Sequence, residues 1–152
     1  MRAAIYRRVN TPQSPQVTRI LILKSDRLYA ESLRQFCLGT FPQATALVAT
    51  TVDAAAAVLS SQRIDLMITG VGTAMAGDVL DLLARSVKPG LPFSPKVLVV
   101  TARHEYRTLT ALRTLAVDGV FDTSAEVPSA FAQALEAMAS GRRYWSQSVI
   151  DH

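Results

Sequence analysis

The chain has 152 residues, 49% hydrophobic and 18% charged, which suits one domain with a core of ordinary size and excludes general disorder. Its net charge of +4 and pI of about 9.6 come from a scattered surplus, Arg2, Arg7 and Arg8 near one end and Arg142 and Arg143 near the other, so no dedicated nucleic-acid face is indicated. The apolar runs fall short of the roughly 18 residues a membrane span needs. The N-terminus lacks a secretory pattern, and the single cysteine, Cys37, cannot form an internal disulfide. These features lead to the expectation of a cytoplasmic protein with no membrane contact.

Residues 1–17 include Asn10-Thr11-Pro12-Gln13-Ser14-Pro15-Gln16, the composition of a flexible N-terminal tail. Thr18 to Leu23 is a continuous apolar run of strand length, as in a parallel strand covered on both faces. Ser25 or Asp26 can cap a helix on which Leu28, Leu33, Phe36 and Cys37 share a face, and Gly39 with Pro42 ends it. Ala46 to Thr50 is a second strand, followed from Asp53 to Ser60 by an alanine-rich helix. Ile64 to Thr69 is a third strand, entered through Asp65 and left through the glycine-rich loop from Gly70 to Gly77. A helix from Asp78 to Ser86 carries Val79, Leu80, Leu82 and Leu83. Three prolines make Lys88 to Pro95 a loop. Lys96 to Thr101 is a fourth strand, Tyr106 to Leu115 a helix, Gly119 to Asp122 a fifth strand, and Pro128 to Ala139 a helix with Phe131, Leu135 and Met138 on one face.

Five strands alternating with five helices predict an α/β fold of three αβα layers, a doubly wound parallel sheet of flavodoxin-like order 2-1-3-4-5. In such a sheet the reacting groups gather at the carboxyl ends of the central strands.

Three local signals resemble a response-regulator receiver domain of the CheY-like type, in its NarL/FixJ (LuxR-type) subfamily. Thr101-Ala102 matches the Thr/Ser-Ala pair that ends the fourth strand, and Val117-Asp118-Gly119-Val120-Phe121 is similar to Ala-Asp-Gly-Tyr-Leu. Ser140-Gly141-Arg142-Arg143-Tyr144-Trp145-Ser146 is similar to Gly-x-x-Tyr-Leu-Ser, the element that leads into a DNA-binding helix-turn-helix. The resemblance spans roughly Thr18 to Val149, with residues 18–140 as the receiver-like domain and 141–152 as a linker-like segment; the chain stops at His152.

The resemblance implies a two-component phosphorelay in which a carboxylate accepts a phosphoryl group, further acids hold Mg²⁺, and a lysine pairs with the phosphoryl oxygens. Carried over residue by residue, the acidic pair falls on Lys24 and Ser25, the acceptor on Gly70 or Thr69 depending on the direction of counting, and the lysine on Thr123. Only Thr101 keeps its type. The expectation is a degenerate phosphoacceptor pocket of Lys24, Ser25, Asp26, Thr69, Gly70, Thr101 and Thr123, with no catalytic residue, no metal and no cofactor, Mg²⁺ included.

Each singled-out residue also has a plainer reading. Thr101 can cap strand and loop, and Lys24 can be solvated instead of pairing with Asp26 or Asp122. Thr69 as a phosphoacceptor lacks a base, and the Gly70, Gly72 and Gly77 spacing fits neither a dinucleotide fingerprint nor a P-loop. Cys37 reads as a core residue, while His104 and His152 form no metal set with it. Tyr144 and Trp145 beside Arg142 and Arg143 read as a packed linker in preference to a base-stacking platform.

The functional expectation is a non-enzymatic pseudo-receiver that signals through a protein partner or a homodimer. Its contact surface is expected among Tyr106, Val120, Phe121, Phe131, Tyr144 and Trp145, on the fourth helix, fifth strand and fifth helix, or on the first and fifth helices. One alternative is the receiver half of a LuxR-type transcription regulator, binding nucleic acid only through a C-terminal domain missing from this chain. Another is a flavodoxin-like binder of a small ligand at the glycine-rich loop.

Overall fold

The computed structural model describes residues 16–71, 76–86, 94–102, 106–115 and 117–151. The N-terminal tail up to residue 15, residues 72–75 of the glycine-rich loop, the proline-rich loop from 87 to 93, His104 and His152 lie outside the described residues.

Six parallel strands form one sheet in the order β2-β1-β3-β4-β5-β6. They are β1 Arg19–Leu23, β2 Thr45–Ala49, β3 Leu66–Gly70, β4 Lys96–Thr101, β5 Gly119–Asp122 and β6 Tyr144–Trp145. The helices are α1 Arg27–Thr40, α2 Val52–Ser61, α3 Ala76–Ser86, α4 Tyr106–Thr114, α5 Pro128–Ala139 and the short α6 Gln147–Ile150. The predicted order 2-1-3-4-5 is present and extended by β6. Strand β3 begins two residues later than expected and takes in Gly70.

Alternation along each strand divides the core into two layers. Ile20, Ile22, Leu66, Ile68, Leu98, Val100 and Phe121 face α1 and α5, where they meet Ala30, Leu33, Cys37, Phe131 and Leu135. Leu21, Leu23, Met67, Val97, Val99 and Val120 face the other way, onto Ala55 of α2, Leu82 and Leu83 of α3, and Leu109 and Leu112 of α4. Because both faces are covered, the strands read as unbroken apolar runs.

Two aspartates pin the opposite, amino-terminal edge. Asp65 Oδ2 accepts from the amides of Thr18 and Arg19 and from Thr18 Oγ1 at 2.9, 2.9 and 2.7 Å. Asp118 Oδ2 accepts from the amide of Val97 at 2.8 Å. Asp26 caps α1, its Oδ1 accepting from the Tyr29 amide at 3.1 Å, and Thr51 caps α2 through the Ala54 amide at 3.1 Å. The buried stripe of α1 is Ala30, Leu33 and Cys37, spaced by three and four residues. Leu28 and Phe36, expected on that stripe, lie off it and are 80% and 43% exposed.

Helix α5 closes in a Schellman turn, the amide of Gly141 bonding Met138 O at 3.0 Å and that of Arg142 bonding Ala137 O at 2.9 Å. Gly141 takes φ +82°, a left-handed conformation that favours glycine. The turn sends the chain back along the sheet, so the segment expected as a linker pairs with β5 as β6. Among the described residues no helix is long and apolar enough to cross a membrane.

Candidate functional site at the strand ends

Lys24 follows Ile20 and Ile22 in alternation and leaves β1 toward α1, its amide held by Ala49 O at 3.1 Å. A Cβ built on Gly70 would lie 2.9 Å from both Lys24 Cδ and Nζ, so the lysine side chain lies across the bare face of the glycine. Its ammonium stands 4.7 Å from the centroid of the Tyr29 ring, a cation–π contact. Gly70, one of the two positions on which the resemblance puts the acceptor, thus has no side chain of its own and a neighbouring cation against it.

The pairing of Lys24 with Asp26 or Asp122, the alternative to a solvated lysine, does not form among the described residues. The ion pairs among the described residues join Arg34 to Glu31, Arg63 to Asp65 and Arg85 to Asp81. Asp26 is engaged as a helix cap, and Asp122 belongs to the alternation set of Val120, on the far face of the sheet.

Thr69 and Thr101 share that far face with Asp122. Thr69 is fully buried and its Oγ1 donates to Gly70 O at 3.0 Å, which leaves it as a structural hydroxyl in this geometry. Thr101 is buried, and its carbonyl accepts the Thr123 amide at 3.0 Å. The seven expected pocket residues thus divide: Lys24, Gly70 and Thr123 on the α1–α5 side, Thr69 and Thr101 on the other, Ser25 and Asp26 exposed at the entry to α1. Mg²⁺ requires hard oxygen donors with at least one carboxylate in near-octahedral array. Where the resemblance puts the acidic pair the chain has Lys24 and Ser25, and an ammonium opposes a cation, so these residues do not fit Mg²⁺.

A hydroxyl–carboxylate network lies beside the pocket, and the sequence reading missed it. Fully buried Asp122 accepts from Ser124 N and Oγ at 2.9 and 2.6 Å and from Ser148 Oγ at 2.6 Å. Ser146 Oγ accepts the Asp122 amide at 2.8 Å and donates to Glu126, which also accepts the Tyr144 hydroxyl. Burial, then the bond to Glu126 and that carboxylate's charge, push the Tyr144 phenol up to about 12. Partners separated by 18 to 26 residues leave no local spacing signal. Cys37 is buried, and its desolvated thiol is pushed up to about 12, so it stays protonated and unreactive.

The expected contact surface needs correction. Val120, Phe121 and Phe131 are buried, because β6 makes β5 an interior strand and Phe131 faces inward from α5. Tyr144 and Trp145 are half-buried against the two core layers. Tyr106 begins α4, and its side chain lies outside the described residues. The exposed large apolar side chains Leu28 and Phe36 are on α1, one of the two expected faces, but were not among the residues named for it. A groove of about 580 Å³ runs beside them, lined by Ser32, Gln35, Phe36, Gly39, Thr40 and Ala132 of α1 and α5.

No family model matches the sequence, and no curated protein matches it either. Solved structures do. A LuxR family DNA-binding response regulator from Silicibacter pomeroyi superposes with a TM-score of 0.69 at 22% identity, covering 87% of this chain and 99% of that one. The isolated REC domain of RcsB from Salmonella enterica serovar Typhimurium, in the presence of the phosphomimetic BeF3-, gives 0.72 at 19%, covering 89% and 97%. RcsB from the same organism bound to promoter DNA gives 0.70 at 19%, covering 88% of this chain and 65% of that one. At these identities the likeness establishes the fold, and the fold is that of a response-regulator receiver domain.

Proposed function

We propose that this chain is an atypical receiver that takes part in signal transduction by protein–protein contact and not by aspartyl phosphate. The observation that carries the reading is Lys24 lying across Gly70, where a phosphorylated receiver needs an acidic acceptor and a metal. The chain is non-enzymatic in this reading: the Thr69 hydroxyl is buried and donates to the Gly70 carbonyl. The contact face is α1 with α5, supported by exposed Leu28 and Phe36 and the groove beside them, while β6 covers the edge of β5.

The test is incubation with Mg²⁺ and acetyl phosphate or beryllofluoride, read by intact mass and by amide NMR around Gly70 and Thr101. The expected result is an unchanged mass and an unchanged spectrum. A gain of one phosphoryl group with shifts centred on those residues would sink the proposal.

A second reading, the receiver half of a LuxR-type DNA-binding regulator, draws on two observations. The chain spans 65% of the RcsB chain bound to promoter DNA, and its C-terminal segment is the one that resembles the linker to a helix-turn-helix. Sequencing the complete reading frame decides it: a downstream helix-turn-helix supports this reading, and a stop codon after His152 excludes it.

A further inference from the structure

A pocket of about 140 Å³ lies between α1, α5 and the ends of β4 and β5. Its walls are buried Leu33, Val100, Phe121 and Phe131, half-buried Tyr29, Thr123 and Glu126, and, at the open side, exposed Phe36 and Pro128. A cavity of about 150 Å³ accommodates one benzene molecule, so this volume is that of a single ring. The rings of Phe121 and Phe131 meet edge to face at 5.2 Å, offering an incoming ring the same geometry.

Lys24 is not itself a wall residue, but two contacts place its ammonium next to the wall. Lys24 Nζ sits over the ring of the wall residue Tyr29. Lys24 also lies across Gly70, and Gly70 pairs in register with the wall residue Val100, one strand spacing of about 4.8 Å away. The charge has a preferred side as well. The wall carboxylate, Glu126, is engaged by the hydroxyls of Tyr144 and Ser146, whereas the Lys24 ammonium has no carboxylate partner among the described residues.

We infer that this cavity binds a small aromatic carboxylate, its ring against Phe121 and Phe131 and its carboxylate on Lys24 Nζ. The site goes beyond the protein-contact reading and does not rest on it: phosphoryl transfer to this chain would overturn that reading and leave this site intact. A ligand here would touch the same wall, Glu126, that holds the C-terminal segment.

The test is titration of the full chain with benzoate and, as the ring of opposite charge, benzylamine, followed by amide NMR. The expected result is saturable shifts centred on Tyr29, Leu33, Val100 and Phe121, with benzoate binding about five-fold tighter than benzylamine, the scale of one partly exposed charge pair. Lys24→Met, which keeps the volume of the side chain, should abolish the preference for benzoate. Absence of saturation, equal binding of the two probes by the native chain, shifts clustered elsewhere, or a preference that survives in folded Lys24→Met would each overturn the inference. The comparison of probes on the native chain requires no variant.

Discussion

A Cβ added at Gly70 meets the far end of a flexible lysine, whereas one added at Gly119 meets backbone. At Gly119 it would lie 2.8 Å from Tyr144 O and Leu98 Cδ1 and 2.9 Å from Met138 Sδ. Gly119→Ala is therefore expected to lose about 1–3 kcal/mol by overpacking and to strain the β5–β6 pairing. Gly70→Ala should change stability by less than about 1 kcal/mol, since Lys24 can swing off Tyr29 and alanine restricts the unfolded chain. Urea unfolding of both variants checks the order. Asp65 supplies a pH-dependent term. Burial raises its carboxyl, but the Thr18 hydroxyl, the Arg19 and Thr18 amides and the Arg63 guanidinium outweigh that and hold it below the usual carboxylate range. A depressed native pKa stabilises the fold above the unfolded value of about 4, and this contribution is lost as pH falls through the native one. Asp65→Asn should lower stability at neutral pH and flatten the acid limb of the stability–pH curve, as followed by circular dichroism.

At the scale of elements, the C-terminal segment is a working part of the sheet. Val149 is fully buried, and Arg113 donates to its carbonyl at 3.2 Å. Ser146 serves two partners at once, so Ser146→Ala leaves the Asp122 amide without its acceptor and Glu126 with one hydroxyl fewer. A loss of about 2–3 kcal/mol is expected from unmade buried hydrogen bonds. Faster amide exchange at Tyr144 and Trp145 than elsewhere in the sheet would locate it in β6. Unchanged exchange there would mean that pairing with β5 alone holds the strand. The existence and type of the main helices were legible because their start signals and apolar spacing are local: Asp26 as a cap and Pro128 at the first helical position each act within one turn, whereas the Thr51 cap was not read. Strand β6 was not legible, since two residues with a half-buried pattern carry no periodicity and depend on the Gly141 turn and on β5.

For the whole molecule, the exposed apolar face of α1 gives the contact reading its own test. Leu28 is 80% exposed, so Leu28→Glu should shift folding stability by no more than about 0.5 kcal/mol. Self-association through the α1–α5 face, measured by sedimentation over a range of concentrations, should weaken in this variant by ten-fold or more. Equal association of the two chains would remove that face from the proposal. The sequence by itself determined the layered α/β architecture, because short apolar runs alternating with amphipathic helices are the pattern of strands covered on both sides. Only the tertiary structure decided where the residues at the strand ends point. Alternation across a pleated sheet sends Lys24 over Gly70 toward Tyr29 and puts Thr69, Thr101 and Asp122 on the opposite face, a division that depends on register and pairing between segments tens of residues apart.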